Sequence, residues 1–290
     1  MKFLETLIPI FLMLTPMALV SAYIFLSKKK LASFRKNPIN MDLLRSPGES
    51  LREQIEDKKL DIDAYLTLIP VLPLLLYISY LQSSKSIFYS LVLSCSGVIC
   101  IVIATYKLKN LIKIKTKLSL GYDAELSIGQ ELNTLMRDGY YVFHDIPAEN
   151  YNIDHVVVGA TGVFAVETKG RSKPIKKDGT SEFKVKYDGK QLNFPNWVET
   201  KPLEQAKRQA NSLQKWLSNA VGEAVEVKPI LAIPGWYIER SGSQGIIVIN
   251  GKNPLSIFGK SNGSELNEKL ISQVAYQLDQ RCRTVKPKAK

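Results

Sequence analysis

Residues 152–170 read NIDHVVVGATGVFAVETKG, and the fold turns on this stretch. Two apolar runs, Val156-Val157-Val158 and Val163-Phe164-Ala165-Val166, flank Gly159-Ala160-Thr161-Gly162. β-Branched residues on either side of a Gly-containing four-residue connection predict a β-hairpin at the centre of a sheet. Each strand carries a carboxylate, Asp154 at the start of the first and Glu167 at the end of the second. The turn folds the strands back on each other, so these two ends meet at one edge of the sheet. Glu167 and Lys169 are two residues apart, and the strand period of two puts them on one face. His155, next to Asp154, must point to the opposite face and reads as a packing or hydrogen-bonding residue. A carboxylate from each strand with a lysine beside them suits a divalent metal and a phosphate.

Outward from the hairpin, the pattern from Leu118 onward is that of a compact domain with alternating helices and strands. Gly121 to Arg137 has helical spacing, with Leu120, Ala124, Ile128, Leu132 and Leu135 on one face. Tyr140 to Ile146 reads as a strand leading into the hairpin. Ser172 to Asn193 is a polar excursion with its own hairpin closing at Asp188-Gly189. Pro202 to Leu217 is a second helix, with Leu203, Ala206, Ala210, Leu213 and Leu217 inward. Val225 to Ile233 and Gly245 to Ile249 are further strands, and Glu265 to Leu278 is a terminal helix. The tail from Arg281 to Lys290 is basic and is expected to lack structure. This order predicts an α/β domain, a mixed sheet flanked by helices.

Phosphodiester hydrolysis builds negative charge on the phosphorus oxygens and the leaving oxygen. A hard cation such as Mg²⁺ or Mn²⁺, held by one or two carboxylates, stabilises that charge and keeps several waters. Asp154 and Glu167 suit the ligand role, with the Thr168 backbone carbonyl as a third. Lys169 is placed to orient or deprotonate the attacking water, or to neutralise transition-state charge.

The pattern of Asp154 followed by Glu167-x-Lys169 across a hairpin resembles the PD-(D/E)xK nuclease superfamily. Together with Ile153-Asp154-His155 and the preceding helix, it more closely resembles the nuclease-related domain (NERD) family, over about Gly121 to Leu213. That resemblance implies a restriction-endonuclease-like fold and a metal-dependent nuclease activity. It also implies that Glu125 is the glutamate of the family's first helix, binding metal directly or through water. Gln205 is then the glutamine of the second helix, bonded to substrate or to the lysine. The chain departs from the family in having Ala124 where glycine is usual.

Each residue has a plainer reading when taken singly. Asp154 could simply end a strand, Glu167 and Lys169 could be an exposed pair, and Glu125 a surface charge on an amphipathic helix. Glu131 sits in a context like that of Glu125, and Gln205 could be an ordinary exposed residue. Phe183, Tyr187, Phe194 and Trp197 are interleaved with Lys173, Lys176, Lys177, Lys184, Lys186 and Lys190. Such mixing suits a nucleic-acid surface, with lysines for phosphates and aromatics for bases. It also suits a solvated excursion with Trp197 docked on the core.

The N-terminal 117 residues are of another kind. Three stretches, Thr6 to Ser27, Ala64 to Ser84 and Ser86 to Tyr106, contain no charged residue and are 21 or 22 residues long. Crossing a hydrocarbon core takes about 20, so three transmembrane helices are expected, at about 7–26, 65–82 and 87–106. Ser21-Ala22 resembles a signal cleavage site, but Lys28-Lys29-Lys30 follows the apolar stretch instead of preceding it, which favours an uncleaved anchor. Lysine and arginine crowd the loop 28–63 and the segment after Tyr106. The positive-inside rule therefore puts the N-terminus outside and both the loop and the domain in the cytoplasm. In that loop Glu49 to Asp63 has helical spacing and no evident chemistry.

The formal net charge of +12 fits nucleic acid and anionic lipid alike. Three cysteines at scattered positions suggest neither a disulfide framework nor a zinc site. No P-loop glycine pattern supports ATP-driven work.

The expected organisation is a membrane region (1–117), a nuclease-related domain (118–280) and a basic tail (281–290). The expected protein is a multi-pass nuclease of the inner (cytoplasmic) membrane. Its expected partners are nucleic acid, DNA ahead of RNA, then the lipid bilayer and membrane or DNA-processing proteins. The alternative is a non-catalytic nucleic-acid- or protein-binding module on the same fold.

Overall fold

The computed structural model describes residues 15–16, 18–27, 38–82, 86–175, 181–242, 245–260 and 266–287. The chain divides into two compact units, residues 1–42, 57–115 and 286–290 in one, and 43–56 with 116–285 in the other.

In the first unit most of the described residues are helical. A short apolar helix α1 spans Ala18–Ser27. Most of the first expected membrane segment, with Lys28-Lys29-Lys30, lies outside the described residues. Two further helices are long and apolar enough to cross a membrane. One is α2 (Glu49–Gln82), with Pro70 and Pro73 inside it. The other is α3 (Ile87–Asn133), of 47 residues. Both are longer than expected. The amphipathic stretch from Glu49 and the second apolar segment form one helix. So do the third apolar segment and the helix carrying Glu125, because no glycine or proline stands at either junction, residues 59–69 and 107–120.

The second unit is built on a five-stranded sheet in the order β10-β8-β4-β3-β2. Its members are β2 (Tyr141–Pro147), β3 (Asn152–Gly159), β4 (Gly162–Thr168), β8 (Val227–Ala232) and β10 (Ile247–Ile249). β2, β3 and β4 pair antiparallel, whereas β4, β8 and β10 pair parallel, so the sheet is mixed. The hairpin register closes at Gly159↔Gly162. Both faces of its strands are covered, which is why Val156-Val157-Val158 is continuously apolar instead of alternating. On one face Val156, Val158, Val163 and Ala165 pack with Ala210, Leu213 and Leu217 of α4 (Lys201–Val221), and with Leu270, Val274 and Leu278 of α6 (Glu268–Cys282). On the other, Val157, Phe164 and Val166 meet Ile128, Leu132 and Leu135, with Phe258 of the short α5 (Leu255–Phe258).

A second sheet, β7-β6-β5-β9, joins β5 (Lys184–Tyr187), β6 (Leu192–Asn193), β7 (Val198–Glu199) and β9 (Tyr237–Arg240). Its inner face (Val185, Tyr187, Leu192) packs with Phe194, Leu203, Ala206 and Trp236.

Two expectations are corrected here. Residues 43–56 belong to this unit: β1 (Leu43–Leu44) pairs with β11 (Arg283–Val285). The basic tail is therefore structured over its first part. Arg281 and Cys282 finish α6, and Thr284-Val285 supply β-branched residues to a strand whose partner lies some 240 residues earlier in the chain. Residues 288–290 lie outside the described residues.

Candidate active site

The hairpin register brings the carboxylates together. His155 pairs with Val166, so one step further Asp154 stands opposite Glu167. The Thr168 backbone N–H donates to Asp154 Oδ2 at 2.6 Å, and Lys169 Nζ donates to Glu167 Oε1. Lys169 N–H in turn bonds the Ala232 carbonyl at 2.9 Å, fixing the chain just beyond β4.

Glu125 arrives from α3 and is buried, whereas Glu131 is exposed. The close approach of α3 depends on Gly170, where a Cβ would lie 2.6 Å from the Leu120 carbonyl and 3.1 Å from Ala124 Cβ. With Gly170 supplying the room, Ala124 is accommodated on the helix.

The electrostatics are those of crowded carboxylates. Burial, then the charges of Asp145 and Glu167, push Glu125 up to about 8, with Lys169 opposing. Burial, then Glu167 and Glu125, hold Asp154 well above the usual carboxylate range, against the Thr168 hydrogen bond and Lys169. Glu167 is 1% exposed, and its Oε2 is buried without a hydrogen-bond partner. An unpaired buried carboxylate oxygen costs free energy unless something positive meets it. Among the described residues no three His, Cys, Asp or Glu side chains are gathered as a ready cation site. The donor set nonetheless fits a hard divalent cation: oxygen ligands, excess negative charge, and one oxygen with nothing to accept from.

Lys169 also lines a cleft of about 430 Å³ with Arg171, Val198, Glu199, Thr200, Lys201, Pro202 and Gln205. The structure thus brings Glu125, Asp154, Glu167 and Lys169 into one electrostatic cluster and sets Gln205 on the adjoining wall. The wall is rigid: Arg171 Nε and Nη2 grip Glu199 at 2.8 and 2.7 Å. Trp197 Nε1 donates to Glu199 at 2.7 Å, and Trp236 Nε1 donates to the Arg171 carbonyl at 3.0 Å. Burial works against ionising Glu199, yet the bonds from Arg171 and Trp197 win and hold it below its ordinary range.

Some functional neighbours escaped the sequence reading. Arg171 continues the two-residue spacing of Glu167 and Lys169, a signal that was there to follow. Gln209, one turn after Gln205, is buried with Nε2 donating to the Asn152 carbonyl at 3.3 Å. The largest omission is Asp145. The pairs His144↔His155 and Ile146↔Ile153 flank it, and its charge is among those that push Glu125 up, so a carboxylate from a third strand borders the site. Asp145 takes φ 51°, a left-handed conformation that Asp tolerates better than most residues. Arg45 Nε and Nη2 donate to its Oδ2 at 2.9 and 2.7 Å, and Ser50 N–H adds a bond at 2.7 Å. Ser50 Oγ and Asn152 Nδ2 each donate to Oδ1 at 2.9 Å. Arg45 of the loop 28–63 therefore neutralises a buried charge next to the site, and Ser50, in the stretch read as having no chemistry, binds the same carboxylate. Gly48, at φ +68°, lies against the Tyr122 ring on the same side as Glu125.

The histidines stay out of the site. His155 is fully buried and bonds His144 Nδ1 to Nδ1 at 2.9 Å, and His144 Nε2 meets Asn133 Oδ1. Burial pushes His144 down to about 4 and lowers His155 as well.

The mixed sheet flanked by helices is the α/β fold expected from the sequence, and its central hairpin gathers carboxylates and a lysine at one edge. Residues 120–234 match the model of the nuclease-related domain (NERD) family, so the resemblance carried by the hairpin residues is borne out. No curated protein and no solved structure matches the chain.

Proposed function

We propose that this chain is a membrane-anchored, metal-dependent nuclease that hydrolyses phosphodiester bonds, DNA ahead of RNA, at the cytoplasmic face of the inner membrane. The family match supports the nuclease-like part of this reading. The observation that carries the metal-dependent chemistry is the buried carboxylate cluster, with Glu125 raised to about 8 and Glu167 Oε2 left without a donor. Asp154, Glu167 and the Thr168 carbonyl would hold Mg²⁺ or Mn²⁺, with Glu125 as a further ligand. When bound, the cation supplies charge stabilisation for the phosphoryl oxygens. Lys169 holds a proton at Nζ beside Glu167 and is placed to orient the attacking water or offset developing charge. Gln205 and Arg171, on the cleft wall, position the phosphodiester.

The two long apolar helices support membrane association. An N-terminal anchor added to them would make the three-helix arrangement, N-terminus outside, that the lysine distribution favours. The cleft supports a nucleic-acid partner, and the membrane setting supports lipid and DNA-processing protein partners.

The second reading is a non-catalytic binding module. What favours it is the Lys169–Glu167 ion pair, which satisfies one ligand oxygen with an ammonium instead of a metal. A nuclease assay separates the two. The full chain in detergent should cleave oligonucleotides with Mg²⁺ or Mn²⁺ and stop with chelator. Binding without cleavage under any divalent metal would leave the module. A fragment starting at Lys115 would be a poor substitute, since residues 43–56 belong to the compact unit.

A further inference from the structure

The outer face of the second sheet is not used by the cleft chemistry, and its side chains are unusual for a solvated surface. Of the four aromatics interleaved with the lysines, three are withdrawn from solvent. Tyr187 and Phe194 are buried, and Trp197 stacks on Phe194 at 4.5 Å between ring centroids. Phe183 remains 51% exposed. A fifth ring is also exposed: Tyr237 on β9 is 55% exposed, and its backbone N–H bonds the Phe183 carbonyl at 2.7 Å.

The register fixes what stands beside Tyr237, whereas Phe183, two residues before Val185, has the parity of the inner row. Lys184 pairs with Tyr237 and Lys186 with Glu239. Lys186 also pairs with Asn193, and Asn193 with Val198. Alternation turns Val185 and Tyr187 inward and Lys184 and Lys186 outward. One outward row therefore reads Tyr237–Lys184, and the next Glu239–Lys186–Asn193–Val198. Val198 lines the catalytic cleft. From Lys186 to Val198 is two inter-strand spacings, roughly 10 Å. Glu239 repels phosphate at the β9 end of the second row, which directs a polyanion toward β6 and the cleft.

We infer that this face is a landing track for single-stranded nucleic acid, with Tyr237 stacking an unpaired base and Lys184 and Lys186 taking backbone phosphates on the way to the cleft. Bases in a duplex are already stacked on each other and offer no free face to an exposed ring, whereas a single strand offers one at every nucleotide. The inference rests on the nuclease reading and narrows its substrate to single strands or frayed ends.

The test is fluorescence anisotropy on the full chain in detergent, with chelator present so that nothing is cut. The probes are a 12-nucleotide oligothymidylate and a 12-base-pair duplex. The single strand should bind at least tenfold more tightly than the duplex. Tyr237→Ala should weaken single-strand binding about tenfold, the effect of one lost base stack, whereas Tyr237→Phe keeps it and duplex binding stays unchanged. Replacing Lys184 and Lys186 with alanine should flatten the salt dependence for the single strand by a slope of about 1.4. A duplex that binds as tightly as the strand, or a Tyr237→Ala variant that binds like wild type, overturns the track. The same variants with Mg²⁺ separate the two readings. Duplex cleavage unaffected by Tyr237→Ala keeps the nuclease and removes the track. Single-strand binding that depends on Tyr237 without any cleavage keeps the track and removes the nuclease.

Discussion

Replacing Glu125 with glutamine should make the protein more stable while disabling it. Glu125 is held at about 8 in the folded domain against a usual 4.5, first by burial and then by Asp145 and Glu167. Between those values the folded state keeps a proton that the unfolded chain releases, so rising pH costs folding stability across the window. At pH 7 the gap already traversed is about 2.5 units, or roughly 3 kcal/mol at about 1.4 kcal/mol per unit. Glutamine keeps the shape and removes the titration. Calorimetry of the full chain in detergent without divalent metal should place the Glu125→Gln midpoint some 5–10 °C above wild type at pH 7. The difference should be lost as pH falls below 4.5, where the native side chain becomes protonated in the unfolded state as well. Mg²⁺ should then raise the wild-type midpoint more at pH 8 than at pH 6, and the variant's hardly at all. An equal midpoint difference at pH 4.5 and pH 7, or a variant no more stable than wild type at pH 7, would refute the electrostatic account of this site.

Further outcomes follow from other residues. Asp154→Asn and Glu167→Gln should each abolish or severely weaken Mn²⁺ binding in titration calorimetry while leaving the domain folded, because each removes a charged oxygen from a small ligand set. Lys169→Ala should cut the cleavage rate about 10²-fold with oligonucleotide affinity nearly unchanged, as expected for a positioned acid–base group. A loss of affinity alone would remove Lys169 from the chemistry. Arg45→Ala should lower stability by on the order of 3 kcal/mol, the cost of stranding a buried partner charge, and Asp145→Asn in the same background should restore part of it. The His144–His155 pair should destabilise the domain in acid. His144 sits at about 4, below the usual 6.5, so stability is full above 6.5 and is lost as pH falls toward 4, which a midpoint series from pH 7 to pH 4 will show.

What the sequence carried plainly was local. The valine runs and glycines of 152–170 specify a hairpin by adjacency alone, and strand parity puts Asp154 against Glu167 and His155 on the far side. The α4 face from Leu203 to Leu217 was readable for the same reason, since burial at helical spacing leaves a periodic trace. Long-range pairings leave none. Nothing near Asp145 announces that Arg45 will neutralise it, and nothing in LL at 43–44 names RTV at 283–285 as its strand partner. The aromatic excursion misled in a related way. Composition distinguishes a base-stacking ring from a core ring only once the register has turned Tyr187 inward and left Tyr237 outside.

The bond between Arg45 and Asp145 spans 100 residues, and both of the long apolar helices begin within that interval. The site's electrostatic partner is thus made early and its target late. At about 5–20 residues per second the ribosome needs roughly 5–20 s to pass from one to the other. In that interval the apolar segments emerge first, and Arg45, Ser50 and Leu43-Leu44 must wait as an unpaired leading edge until β2 and then β11 exist to receive them. Assembly of the domain is therefore ordered in time, with its first-made piece among the last to be locked in place.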